Sequence, residues 1–235
     1  LPRMVRCVEV PSCWQHERVR VGTWNLEGRW SQDHLALLTG QACDVWLLTE
    51  VREDTSVPGF TAHLTSATMA GRRHWAGNFS RSRLRPLPDP HPASAAAMGL
   101  GAVWCSSILP WRTCGTEPWG AGTTSEKTVR TLGQLTAALP SGDLVWGGDW
   151  NHAMEAREYA GSLAGRTAIQ GALASRQLQL LTQSLPHALD GLFTIDHIAV
   201  PREARISAAT RVVAEHQRGQ RLSDHDLYAT EWALP

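Results

Sequence analysis

Five short polar motifs, each beside an apolar run, constrain this chain more than any other feature. They read Thr-Trp-Asn-Leu-Glu-Gly at 23–28, Leu-Thr-Glu at 48–50, Gly-Asp-Trp-Asn at 148–151, Ile-Asp-His at 195–197 and Ser-Asp-His at 223–225. The apolar runs are short and rich in β-branched or aromatic residues, which predicts buried strands. A carboxylate or imidazole at the end of a buried strand is costly unless it is paired, hydrogen-bonded or metal-bound. The five motifs therefore predict one shared site.

The composition indicates one globular domain. The chain has 235 residues, of which 43% are hydrophobic and 19% charged, and α/β folds of this length are often undivided. We expect an N-terminal tail at 1–17 and a single domain at 18–235. The formal net charge is zero, so no global charge indicates nucleic acid as a partner.

No stretch approaches the roughly 20 apolar residues that a membrane span needs, so we expect no membrane span. The chain start has no apolar core long enough for a secretory signal. The cysteines are odd in number and match no zinc-binding spacing, which favours buried thiols in a reducing compartment and thus a cytoplasmic location. They are Cys7, Cys13, Cys43, Cys105 and Cys114.

The secondary structure expected from periodicity is mixed α/β. Strands are predicted at 18–24, 44–48, 60–64, 74–79, 99–109, 144–146, 194–200 and 227–232, and helices at 31–39, 125–139 and 167–177. Ser31 is expected to cap the first helix, and Pro140 with Gly142 ends the second. Three tryptophans in strand-like runs are expected in the core: Trp46, Trp104 and Trp146.

In this order, the five motifs resemble the endonuclease/exonuclease/phosphatase superfamily, which has the DNase I-like fold. The resemblance covers roughly 18–232. Each motif alone is weak, since a Gly-Asp-x-Asn turn arises by chance, but all five in the right order are a strong signal. The resemblance implies a four-layer α/β sandwich, in which two packed β-sheets are flanked by helices and the site lies at one end.

The resemblance also implies residue roles. Metal ligands are expected at Glu50, Asp224 and Glu27. Catalytic roles are expected for His225, Asp149, Asp196 and Asn151, and phosphate contacts for Asn25 and Asn151. Asp196 is expected to orient His225, and Asp149 to align or deprotonate the attacking water. Hard oxygen ligands favour Mg²⁺ or Mn²⁺ over zinc.

The strand at 104–111 departs from the family pattern, because many members carry a second histidine or a tyrosine there and this chain has neither. Arg112, just beyond the strand, is either a replacement phosphate contact or a solvated loop residue. Trp111 is a candidate substrate-stacking residue in the same loop, as are Trp119 and Trp150 in theirs.

For several of these residues, a local structural role is an alternative to the role in the site. Asn25 could cap the turn at 27–30, and Glu50 could pair with Arg52. Asp149 and Asn151 favour Asx turns without any site. His197 is expected to pack rather than react. Solvated loop positions are expected for His152, Glu155 and Asp226.

The function favoured by the sequence is a metal-dependent phosphodiesterase that hydrolyses DNA or RNA by in-line attack of water. Arginines at 72–85 and at 202–221 could follow a polyanionic backbone, or they could be solvated faces. Two alternatives remain open: a phosphoesterase for a small or lipid-linked phosphate, and a catalytically degenerate binding protein on the same scaffold.

Overall fold

The computed structural model describes residues 18–216 and 219–233, so the tail expected at 1–17 lies outside the described residues. The helices are α1 (Gln32–Gly40), α2 (Thr124–Ala138) and α3 (Leu163–Ser175), with a short 3₁₀ turn at Ala70–Arg72. The strands are β1 (Val19–Asn25), β2 (Val45–Arg52), β3 (Thr61–Leu64), β4 (Thr68–Met69), β5 (Arg73–Ser80), β6 (Arg85–Pro86), β7 (Ser94–Gly99), β8 (Ala102–Ser107), β9 (Leu144–Asp149), β10 (Leu178–Leu180), β11 (Asp196–Pro201), β12 (Arg205–Ile206), β13 (Thr210–Val212) and β14 (Leu227–Ala233).

The strands form two mixed sheets. The first has the order β12-β14-β1-β2-β5-β3, with β13 on β14 and β4 on β5. The second has the order β10-β11-β9-β8-β7-β6. Each sheet contains one parallel pair, β1 with β2 and β8 with β9. Helix α1 connects the first pair and α2 the second, as a parallel crossover requires.

The sheets pack face to face, and helices cover their outer faces. The central apolar layer takes side chains from both sheets, among them Val21, Leu47, Trp104, Val145 and Ile198. A second cluster packs α2 and α3 on the outer face of the second sheet, and a third packs α1 on the first. The four-layer α/β sandwich expected from the sequence is confirmed.

Differences from the predicted elements are local. The strand predicted at 99–109 is the second arm of a hairpin, whose first arm, β7, was missed. Helix α3 begins at Leu163 rather than at 167, because the Ser162 hydroxyl accepts a hydrogen bond from Gly165 N at 3.0 Å and caps it there. Ser31 is the N-cap residue of α1, as expected, but its hydroxyl bonds to His34 Nδ1 at 2.8 Å rather than to a backbone N–H of the first turn.

Three tryptophans expected in the core are buried, as predicted: Trp46, Trp104 and Trp146. The three cysteines within the described range, Cys43, Cys105 and Cys114, are buried free thiols. No helix in the described part of the chain is long and apolar enough to span a membrane.

Candidate active site

Sheet topology brings the five motifs to one end of the sandwich. Strand β1 ends at Asn25 and β9 at Asp149, while β11 begins at Asp196, antiparallel to β9 and in register with Asp149. Strand β14 runs antiparallel to β1, so the segment at 223–225 just before it lies beside the end of β1. Ser223 and Asn25, which are 198 residues apart in sequence, thus meet at one sheet edge.

The Asn25 side chain joins the two sheets across this edge. Its Nδ2 donates to Asp149 Oδ2 at 2.9 Å and lies 3.3 Å from Glu50 Oε1. Its Oδ1 accepts from Glu27 N at 2.8 Å. Asn25 therefore caps the following turn and also positions two carboxylates, so its capping role is compatible with a place in the site.

Asp196 and His225 form a buried pair. His225 Nδ1 lies 2.6 Å from Asp196 Oδ2, and its other nitrogen, Nε2, lies 3.9 Å from Asp149 Oδ2 and 3.7 Å from Asp224 Oδ1. Although burial disfavours the imidazolium, the carboxylates of Asp196 and Asp149 raise the pKa of His225 to about 10. This geometry keeps the ring charged and directs Nε2 toward the other site carboxylates.

Burial also acts on the carboxylates. It raises the pKa of Asp149 to about 7, against the opposing charge of His225. It raises the pKa of Asp196 as well, again opposed by His225. Burial raises the pKa of Glu50, and the hydrogen bond from Asn25 and the charge of Arg73 oppose that shift. The acids therefore depend on nearby cations and amides to stay ionised.

The segment that carries His225 is fixed from both sides. Ser223 Oγ donates to Asn25 O at 2.7 Å and accepts from His225 N at 3.1 Å. Asp226, expected in a solvated loop, is instead fully buried and accepts from Arg211 and Arg221, each at 2.6 Å. These two arginines therefore have structural partners rather than forming part of a free cationic face.

The carboxylates expected to bind metal lie at this edge but not in one tight cluster. Asp224 is exposed, and its backbone N–H donates to Glu27 Oε2 at 3.2 Å. Within residues 18–216 and 219–233, three ligand-type atoms come within 4.8 Å of one another only at His187, Asp196 and His225. The donor chemistry of Glu50, Asp224 and Glu27 still fits Mg²⁺ or Mn²⁺, because Mg²⁺ commonly binds through one or two carboxylates and keeps several waters.

Arg73 is a site residue that sequence reasoning missed. Its Nη1 donates to Glu50 Oε2 at 2.5 Å, whereas Arg52, the partner considered from the sequence, bonds to Asp54. The chain places Arg73 within a run of arginines and gives it no distinguishing local pattern. Only the pairing of β2 with β5 brings it to Glu50.

Three motif residues have a left-handed backbone conformation. Glu27, Glu50 and Asn151 have φ values of 52°, 51° and 51°, in the left-handed region that non-glycine residues seldom adopt. Gly148 has φ of 124°, and a Cβ there would lie 2.2 Å from Ser107 O. The glycine therefore allows β9 to approach β8 where Asp149 enters the site.

The Asx turn expected as an alternative at 149–151 is present, since Asn151 N donates to Asp149 Oδ1 at 3.0 Å. The Asn151 side chain donates to Leu109 O at 3.0 Å, in the segment that follows β8. The phosphate contact expected for Asn151 stays a prediction.

The tryptophans proposed to stack on substrate differ in their exposure. Trp119 and Trp150 are buried, so the prediction that they stack on substrate is wrong. Trp150 packs on Trp146 with ring centroids 4.2 Å apart. Trp111 is half-buried, edge-on to Trp119 at 6.3 Å, and Arg112 is exposed. Their roles toward substrate remain predictions.

Other polar residues near the motifs are also buried. His152 is buried rather than solvated, and His197 packs against it as expected, with Nε2 2.9 Å from His152 O. Tyr159 and His187 were not singled out in the sequence. The His187 ring lies edge-on to His225 at 5.8 Å and to Tyr159 at 5.7 Å.

Comparison with solved structures identifies the fold. A structure described as an endonuclease/exonuclease/phosphatase from Beutenbergia cavernae superposes with a TM-score of 0.60 at 16% identity, over 92% of this chain and 72% of that one. The endonuclease domain of TRAS1, a telomere-specific non-LTR retrotransposon, gives 0.66 at 14% identity, over 93% and 99% of the two chains. An AP endonuclease from Archaeoglobus fulgidus gives 0.65 at 14%, over 90% and 98%.

A comparison with curated proteins gave no match. The family model described as "Endonuclease/Exonuclease/phosphatase family" matches residues 22–225, a span that runs from the first motif to the last. This chain belongs to the endonuclease/exonuclease/phosphatase family.

Proposed function

We propose that this protein is a metal-dependent phosphodiesterase that hydrolyses DNA or RNA by in-line attack of water. The observation that carries the proposal is the Asn25 amide, which contacts both Glu50 and Asp149, next to the Asp196–His225 pair. Such a group of acids, amides and a charged imidazole suits charge stabilisation on a phosphoryl group.

In this proposal, His225 holds a non-bridging phosphate oxygen through Nε2–H, while Asp196 keeps the ring oriented from Nδ1. Asp149 aligns the attacking water and accepts its proton. As the new bond forms between the water oxygen and phosphorus, the ester bond on the opposite side breaks. Asn151 donates a neutral hydrogen bond to the phosphate through the Nδ2–H that Leu109 does not accept. The phosphate contact expected for Asn25 would need one of its two N–H groups to leave Glu50 or Asp149.

Glu50, Asp224 and Glu27 would hold the divalent cation. When bound, such a cation neutralises charge that develops on the phosphoryl and leaving oxygens. The half-buried carboxylate of Glu50 faces the cationic group of Arg73 in this structure, which supports the view that this position requires a positive partner.

A specific observation favours an extended polyanion over a small monoester. A cavity of about 650 Å³ adjoins Glu50 through Arg73. Three arginines and two acids line it with Gly28 and Gly71: Arg52, Arg72, Arg73, Glu53 and Asp54. Each of these arginines pairs with an acid, Arg52 with Asp54, Arg72 with Glu53 and Arg73 with Glu50, so the size of the cavity rather than its charge leaves room for a phosphate backbone that continues beyond the cleaved bond.

The experiment is a cleavage assay on plasmid and oligonucleotide substrates with Mg²⁺ or Mn²⁺, with and without chelator. Asp149→Asn and His225→Ala should abolish cleavage, while Asp143→Asn, at an exposed site, serves as the matched control. Hydrolysis of soluble monoesters or lipid headgroups alone would support the small-substrate alternative. Nucleic-acid binding without hydrolysis of any phosphate ester would support the binding-protein alternative.

A further inference from the structure

His187 is buried beside the Asp196–His225 pair, although it belongs to none of the five motifs. It is 6% exposed, and its ring meets the His225 ring edge-on with centroids 5.8 Å apart. Ligand-type side-chain atoms of His187, Asp196 and His225 lie within 4.8 Å of one another. The three side chains therefore form one compact polar group at the base of the site.

The protonation of His187 follows from its backbone contact. Leu189 N donates to His187 Nδ1 at 2.9 Å, so Nδ1 carries the lone pair and Nε2 carries the proton. Burial lowers the pKa of His187 to about 4, which keeps the ring neutral near pH 7. Its Nε2 is a buried donor with no hydrogen-bond partner in the described part of the chain.

Asp196 has a buried acceptor atom that lacks a hydrogen-bond donor. Its Oδ2 bonds to His225 Nδ1 at 2.6 Å, and its Oδ1 is buried without a partner among residues 18–216 and 219–233. Buried polar atoms are rarely left unpaired in folded proteins. A lone donor on His187 and a lone acceptor on Asp196, in adjacent side chains, are each other's natural partners.

A metal ion shared by the three side chains fits less well. Asp196 Oδ2 and His225 Nδ1 already bond to each other, and the two groups have opposite charges. An ion would have to replace that bond and displace a proton from His225, whereas a hydrogen bond from His187 leaves both in place.

We propose that His187 is a positioning residue whose Nε2–H donates to Asp196 Oδ1, either after a small ring rotation or through one bridging water. The bond fixes the plane of the Asp196 carboxylate and, through it, the orientation of His225. The proposal rests on the function proposed above, because it assigns His187 to the pair that orients the phosphate. An analogous outer hydrogen bond orients metal-ligating histidines.

Two variants separate this role from a structural one. In His187→Gln, the side-chain nitrogen can occupy the Nε2 position, so the donor is kept and the acceptor for Leu189 N is lost. In His187→Asn, the side-chain oxygen can occupy the Nδ1 position, so the Leu189 contact is kept and the donor is lost. Thermal unfolding of both variants verifies that they fold.

The readouts are the low-field proton resonance of His225 Nδ1–H and the separate kcat and KM for nucleic-acid cleavage. The proposal predicts that His187→Gln keeps the resonance and stays within about threefold of wild-type kcat. In His187→Asn the resonance should broaden or shift and kcat should fall on the order of tenfold or more, with KM little changed. The reverse order of the two variants, or equal behaviour, would overturn the proposal.

The wild-type protein supplies a measurement that needs no variant. Spectra of ¹⁵N-labelled histidine should show His187 neutral near pH 7, with its proton on Nε2 and slow to exchange. A proton on Nδ1 would overturn the proposal. If the protein cleaves no phosphodiester, the proposed function fails, while the resonance comparison still decides whether His187 holds Asp196.

Discussion

Arg73 Nη1 donates to Glu50 Oε2 at 2.5 Å, so the carboxylate expected to bind metal is already paired with a guanidinium. The Arg73 side chain donates a hydrogen bond from Nε to Ala70 O at 3.0 Å. It also packs against Gly28, where a Cβ would lie 2.1 Å from Arg73 Cδ. The absence of a side chain at position 28 thus makes room for this arginine to reach Glu50.

The first prediction is that Arg73 competes with the cation for Glu50. Arg73→Gln should strengthen Mn²⁺ binding by about tenfold, which corresponds to about 1.4 kcal/mol, because the variant frees one carboxylate oxygen and removes one positive charge. Electron paramagnetic resonance of free Mn²⁺ during titration measures this directly. Arg72→Gln is the matched control, since Arg72 is exposed and pairs with Glu53; equal affinity in all three proteins would contradict the competition.

The second prediction concerns Asp226, whose buried carboxylate pairs with Arg211 and Arg221 and accepts from Ala214 N at 2.9 Å. Asp226→Asn should lower the free energy of unfolding by about 3–5 kcal/mol, because it leaves two arginines without their buried counter-ion. Chemical denaturation measures the loss. Asp54→Asn removes the partner of Arg52 at an exposed pair and should leave the midpoint unchanged.

The third prediction is a loss of stability in acid that arises from His197. Burial lowers the pKa of His197 from 6.5 to about 4. Below pH 6.5 the unfolded chain takes up a proton at this residue while the folded chain does not, so stability is lost as pH falls from about 6.5 to about 4. The expected contribution is up to about 1.4 kcal/mol per pH unit.

The variant His197→Gln isolates the pH-dependent contribution of His197 to stability. Glutamine does not titrate, but it can donate to His152 O as His197 Nε2 does. Unfolding free energies measured between pH 7.5 and 4.5 should fall more steeply for the wild type than for the variant. Parallel curves would mean that His197 takes up its proton at the same pH in the folded and unfolded states, which would contradict the prediction.

The sequence predicts which residues lie together where a motif adjoins a buried strand. Asn25, Asp149 and Asp196 stand at the ends of strands, so sheet topology alone brings them together. The order of the motifs then identifies the family, and the family implies the two sheets. Local pattern and global fold agree at these positions, which is why the expectations about fold were confirmed.

The rest depends on contacts that no local pattern encodes. Arg73 comes to Glu50 through the pairing of β2 with β5, and the loop between β10 and β11 brings His187 within 4.8 Å of Asp196. No local pattern distinguishes Asp226 from a solvated loop acid, because its partners Arg211 and Arg221 come to it only in the folded structure. Strand β7 was missed because its core of three alanines has little intrinsic β-propensity, and its position between β6 and β8 determines its conformation.

In the function that we propose, acids from separate strands form one metal-dependent hydrolytic site. The most direct test is anomalous diffraction from a crystal soaked in Mn²⁺. We expect a peak within about 2.5 Å of a Glu50 carboxylate oxygen, with Arg73 displaced from that oxygen. A peak between His187, Asp196 and His225, with none at Glu50, would show that the proposed metal site is wrong.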